Sequence, residues 1–121
     1  MEIKLKRIYD KPSEADGFRV LVDRLWPRGL SRNQAQIDLW DKSITPSTPL
    51  REWYKHDTSK WDEFEALYWQ ELSHNISSVN HFCDEIEGHP TVTFLFGTKD
   101  PAYTHAIILK QFMEQKLKRL N

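Results

Sequence analysis

Arg19-Val-Leu-Val-Asp-Arg-Leu-Trp-Pro-Arg-Gly29 is the stretch on which the reading of the fold turns. It begins as an alternating, β-branched run, the pattern that packs well on a pleated sheet. It ends in Trp-Pro-Arg-Gly, where proline removes a backbone donor and glycine permits a turn. The stretch therefore reads as a core strand, Phe18 to Leu25, that delivers Asp23, Arg24, Trp26 and Arg28 to a loop. Charged and aromatic side chains on a loop held by a rigid strand are commonly put to use in binding.

Toward the N-terminus, Ile3 and Leu5 alternate with Glu2, Lys4 and Lys6, and Ile8-Tyr9 follow, which predicts a first strand with one buried face. Asp10 to Gly17 is a loop by its turn formers. Beyond Gly29, Ser31 is placed to cap a short helical turn through Gln36. Ile37 to Ile44 alternates only in part, since Trp40 breaks the pattern, so a third strand and a short helix both stay open. Thr48 as N-cap with Pro49 at the first helical position predicts a helix over Leu50–Tyr54. Ser59-Lys-Trp-Asp62 resembles a capping box, and the helix after it carries Trp61, Phe64, Tyr68 and Leu72 on one stripe.

Another helix starts at Asn75 or Ser77, lines up Ile76, Val79, Phe82, Cys83 and Ile86, and stops at Gly88. Thr91-Val-Thr-Phe-Leu-Phe96 is near-continuously apolar, as suits a central strand covered on both faces. After the Gly97-Thr-Lys-Asp100 turn, Asp100-Pro101 repeats the cap-plus-proline signature and predicts a last helix to about Leu120, with His105 one turn in on its inner side. Strands alternating with helices give an α/β fold: a single compact domain over residues 1–121, with a small, mostly parallel sheet covered by helices. Sheets of this kind bind ligands at the carboxyl ends of their strands. The turn after the second strand and the turn before the last helix are therefore expected to open onto one cavity.

The bulk composition narrows the function. With 39% hydrophobic and 29% charged residues, the chain is neither disordered nor membrane-spanning in character. Its 17 basic and 18 acidic residues nearly cancel, which argues against a protein that coats nucleic acid, though not against a local basic patch. The single cysteine, Cys83, has no internal partner, and the N-terminus lacks the apolar stretch of a signal peptide, so a cytoplasmic location is expected.

Arg24 and Arg28 lead the candidate site. Their planar forks suit a phosphate or carboxylate, with Trp26 as a pocket wall; the competing reading is a structural ion pair that locks the turn. Thr98 and Lys99 precede a predicted helix start, whose backbone donors attract anions, although an Asp100 cap would compete for them. His105 and His56 are the candidates for proton transfer; each has an alternative, a satisfied core histidine for His105 and a helix-end cap for His56. Cys83 on an apolar stripe reads as an inert thiol. His74, His81 and His89 make no metal-ligand spacing, so no metal and no cofactor are expected. The rings of Trp61, Phe64 and Tyr68 have mainly acidic neighbours and read as core or a partner surface. The Lys116-Leu-Lys-Arg119 tail reads as a solvated helix end.

The opening Ile3-Lys-Leu-Lys-Arg-Ile-Tyr9, the block Gly17-Phe-Arg-Val-Leu-Val-Asp-Arg-Leu-Trp-Pro-Arg-Gly-Leu-Ser31, and Pro46-Ser-Thr-Pro-Leu-Arg-Glu-Trp-Tyr54 with His56-Asp57 resemble the YeaO-like bacterial family (domain of unknown function 488). Trp61-Asp-Glu-Phe64, the Tyr68/Glu71-Leu72 helix and the late strand with Lys99-Asp100 extend the resemblance over nearly the whole chain. It implies a small cytoplasmic α/β domain and favours Arg24, Trp26, Arg28, His56 and Lys99 as a set. At one point the chain departs: relatives carry a His-Asn pair where Thr104-His105 stands, and if their histidine aligns with Thr104, His105 loses its claim. The expectation is a small protein that holds a phosphate- or carboxylate-bearing ligand in a basic crevice, as a binder or an enzyme. The alternative is a non-catalytic module that contacts nucleic acid or a partner protein.

Overall fold

The computed structural model describes residues 1–120 and is built around a four-stranded, fully parallel sheet. Its strands are β1 (Glu2–Arg7), β2 (Phe18–Leu21), β3 (Leu39–Trp40) and β4 (Thr91–Phe96), in the spatial order β1-β4-β2-β3. β4 pairs with β1 on one side (Leu5 opposite Phe94) and β2 on the other (Val20 opposite Phe94), and both its faces are buried, Val92 and Phe94 in one cluster and Leu95 in another, as its apolar sequence requires. The helices are α1 (Arg32–Ala35), α2 (Thr48–Tyr54), α3 (Trp61–His74), α4 (Ile76–Ile86) and α5 (His105–Leu120).

One face of the sheet, carrying Ile3, Val20, Val92 and Phe94, packs under α2 to α5 through Tyr54, Phe64, Tyr68, Phe82, Leu109 and Met113. The other face is covered by α1 and the long loops, where Ile8, Ala35 and Leu95 form a smaller cluster against Trp26, Leu30 and Ile37. Arg19 projects into this second layer. It is buried and fully engaged, with Nη1 on Asp16 Oδ2, Nε on the Gln36 carbonyl and Nη2 on the Ala35 carbonyl. Asp16 also accepts from Lys6, and its backbone carbonyl takes the hydroxyl of Thr93 in β4. Gly17, between them, has φ +64°, and a Cβ there would lie 2.3 Å from the Thr91 carbonyl oxygen. No side chain fits.

Several boundaries differ from the sequence reading, each for a local reason. β2 stops at Leu21, not Leu25: Val22 N–H still reaches Leu95, but Asp23 then spends its carboxylate on Gly97 N–H and the chain bends away, leaving Leu25 exposed. Residues 37–44 divide into the two-residue β3 and a 3₁₀ turn, Lys42–Ile44, capped by Asp41. Ser47, one residue ahead of Thr48, is the N-cap of α2. Asp57 caps a 3₁₀ turn over Thr58–Lys60 and takes the Ser59 hydroxyl, so the capping box expected at Ser59 does not form. Asp100 makes an Asx turn to Ala102 N–H instead of starting a helix, and α5 begins five residues later with the Thr104 hydroxyl accepting from Ala106 N–H. The tail cations up to Lys118 lie on α5, and the Arg119 side chain lies outside the described residues.

Candidate functional site

All four strands run parallel, so every strand-to-helix turn emerges at the same end of the sheet. There the turn after β2 and the turn after β4 line a common cleft of about 510 Å³, which α2 and the residues after it close from the side. That volume is in the range of small-molecule sites. The expectation that the two turns share one cavity holds.

Asp23, Arg24, Trp26 and Arg28 all line the cleft, as do His56, Thr98 and His105. Lys99 does not: its side chain is exposed outside it. Only Thr98 of the expected Thr98-Lys99 pair reaches the site, because the Gly97 and Thr98 carbonyls are drawn onto the guanidinium of Arg7 at 3.3 and 3.1 Å. Trp26 has two roles. Its indole N–H donates to the Leu30 carbonyl at 2.8 Å, closing the Trp-Pro-Arg-Gly turn, while its ring packs edge-on against Trp40.

The arginines are the site's distinguishing charge. Arg24 donates from Nε to the Pro46 carbonyl at 3.3 Å and pairs with no acid among the described residues. Arg28 and Arg51 make no side-chain hydrogen bond among the described residues, and none of the three guanidinium groups takes part in a salt bridge there. The ion pair weighed for Arg24 and Arg28 does not form among the described residues; the buried pair in this stretch is Arg19 with Asp16. Arg51 is a lining residue that sequence reading missed. Its signal was present, since Arg51 and Tyr54 stand three apart on one helical face just before His56; what was missing was which end of α2 meets the crevice.

His105 sits at the first position of α5, and its Nε2 lies 2.7 Å from the Val22 carbonyl and 3.6 Å from Asp23 Oδ1. Burial pushes this imidazole below its ordinary value, outweighing the Asp23 carboxylate and the Val22 carbonyl, which pull it up. It is therefore neutral near pH 7. A carbonyl can only accept, so the proton resides on Nε2 and leaves Nδ1 as the acceptor. His56, at the mouth, is exposed and has a left-handed backbone (φ +58°), as does Lys55 (φ +45°). Non-glycine residues are strained there, and such strain collects at functional sites. Below them Tyr54 is buried with a hydroxyl that has no hydrogen-bond partner among the described residues; burial first, then Asp57 and Asp100, push that phenol up.

Other candidates lie elsewhere. Cys83 is buried in α4, and burial pushes its thiol up, away from the reactive thiolate. His81 pairs with Glu85, and His89 stacks on Phe18 at 3.9 Å between ring centres. Among the described residues no group of three or more His, Cys, Asp or Glu gathers as a metal would require, and no helix is long and apolar enough to cross a membrane.

A family model described as "Inactive DUF488-N3 subclade" matches residues 2–121. The uncharacterised protein YeaO of Escherichia coli is 36% identical over 113 residues, covering 93% of this chain and 97% of its own length. The uncharacterised protein Rv3073c of Mycobacterium tuberculosis is 35% identical over 111 residues, covering 92% of each. No solved structure matches the chain. With a whole-length family match and relatives above one-third identity aligned nearly end to end, the chain belongs to the YeaO-like DUF488 family, in its DUF488-N3 branch.

Proposed function

We propose that the protein binds a small phosphate- or carboxylate-bearing ligand in the cleft at the strand ends, without transforming it. The observation that carries this reading is that Arg24, Arg28 and Arg51 line one cleft and none is paired with an acid among the described residues. Like charges held together unpaired cost stability, and a guanidinium fork matches an oxyanion in shape and charge. Lys99, outside the cleft, contributes through longer-range attraction only. The near-neutral net charge favours a local site over a nucleic-acid surface. The description of the matched family branch as inactive favours holding a ligand over catalysis, with His105 and His56 as binding groups. A lone, buried Cys83 suits the reducing cytoplasm as the place of action.

A ligand that binds only the folded state raises its melting temperature with concentration. Inorganic phosphate should do so for the wild-type protein and far less for Arg51→Ala, which removes general salt effects from the comparison. Equal shifts in the two proteins, or none in the wild type, would refute the reading.

A further inference from the structure

The same cleft that gathers three arginines also contains a carboxylate they do not touch. Asp23 Oδ2 is committed to Gly97 N–H at 2.8 Å, whereas Oδ1 has only the 3.6 Å approach of His105 Nε2. That ring nitrogen is itself engaged with the Val22 carbonyl. Both side chains keep part of their surface open, 23% for Asp23 and 16% for His105. Asp23 and His105 line the cleft where β2 and β4 end, and neither Asp23 Oδ1 nor His105 Nδ1 receives a hydrogen bond among the described residues. The cleft is larger than a bare phosphate needs, and an anion placed against Asp23 would be repelled by it. The site is therefore polarised.

We infer that the cleft reads two-ended ligands: an anionic group on Arg24, Arg28 and Arg51, and a hydrogen-bond donor, hydroxyl or ammonium, on Asp23 Oδ1 and His105 Nδ1. This rests on the anion-binding reading above and adds a selectivity to it. Simple anions bind weakly; anions that carry a donor a few bonds away bind well. The acceptors penalise a ligand that presents an apolar or second anionic end, because the carboxylate would then lose water without gaining a partner.

Three phosphate monoesters of similar size test this by titration of the full chain: O-phosphoethanolamine, glycerol 3-phosphate and propyl phosphate, whose far ends are ammonium, hydroxyl and methyl. At least one of the first two should bind about tenfold or more tightly than propyl phosphate, the scale of one hydrogen bond to a charged group. Which of them leads identifies the donor class. Asp23→Asn should erase the advantage, since the amide oxygen stays on Gly97 N–H and an NH₂ replaces the acceptor. In the wild type, the His105 Nδ1 resonance should move with the favoured ester and not with propyl phosphate, a readout that stands even if the variant folds poorly. Equal affinity for all three esters would overturn the donor subsite and leave anion binding intact. No binding by any of them would remove both.

Discussion

Arg19, Arg24, Arg28 and Arg51 share one functional group and differ in what surrounds it. Arg19 is tied to Asp16 and two carbonyls inside the protein; Arg19→Ala leaves the Gln36 and Ala35 carbonyls without this donor, while Lys6 and Ser13 N–H still hold the Asp16 carboxylate, and should cost about 1–3 kcal/mol in urea denaturation. Arg51 makes no such bonds among the described residues, and Arg51→Ala should leave stability unchanged or slightly higher, as expected where residues are kept for binding. A large loss at Arg51 would mean that the charge is structural after all. His105 sets a pH dependence. Unfolded, its imidazole titrates near 6.5; folded, burial holds it lower. Between those two values the unfolded chain takes up the proton and the folded one does not. The contribution is thus complete above about pH 6.5 and declines as pH falls toward the folded value. His105→Gln should therefore lose less stability than wild type between about pH 7.5 and 5.5; equal losses would show that the ring is not held neutral. Asp16, whose carboxyl burial would raise but which Ser13 N–H, Lys6 and Arg19 pull below its usual range, keeps its own contribution until more acidic conditions.

Among the elements, α2 matters most to the site, because it brings Arg51 and Tyr54 to the cleft. Its start is pinned by Ser47, whose N–H and hydroxyl both donate to the Glu71 carboxylate on α3. Glu71→Ala should destabilise by about 1–3 kcal/mol through the donors it leaves unmet, and should weaken phosphate binding by releasing α2. Unchanged melting and unchanged phosphate affinity would show that the tether is incidental. Elements whose character is written in a period were legible in advance: β1, β4, and the Phe64/Tyr68/Leu72 and Val79/Phe82/Ile86 stripes fall where spacing predicts. The misread boundaries lie where side chains compete with the backbone. Asp23 ends β2 by bonding to a residue 74 positions away, and Asp100 makes a turn that mimics a helix cap. No local pattern encodes the first of these, and the second is ambiguous until Thr104 is seen to cap α5.

For the whole molecule, the parallel sheet converts a list of residues into a site. With every strand ending on one side, Asp23 to Arg28, Arg51 to His56, and Gly97 to Thr98 meet although they are distant in sequence. Arg24, Trp26 and Arg28 could be picked from the sequence because they follow a recognisable strand. Arg51 and Tyr54 were legible only as neighbours on one helical face; their place at the cleft depends on how α2 packs against α3. The layered arrangement also keeps the basic cleft apart from the lysines that brace the periphery, such as Lys6 with Asp16 and Lys110 with Glu114. Backbone amide spectra followed through a phosphate titration test this directly. Anion binding in the cleft predicts saturable shifts confined to Asp23–Arg28, Arg51–His56 and Gly97–Thr98, lost in Arg51→Ala; no saturable change, or shifts spread over the peripheral lysines, would contradict it.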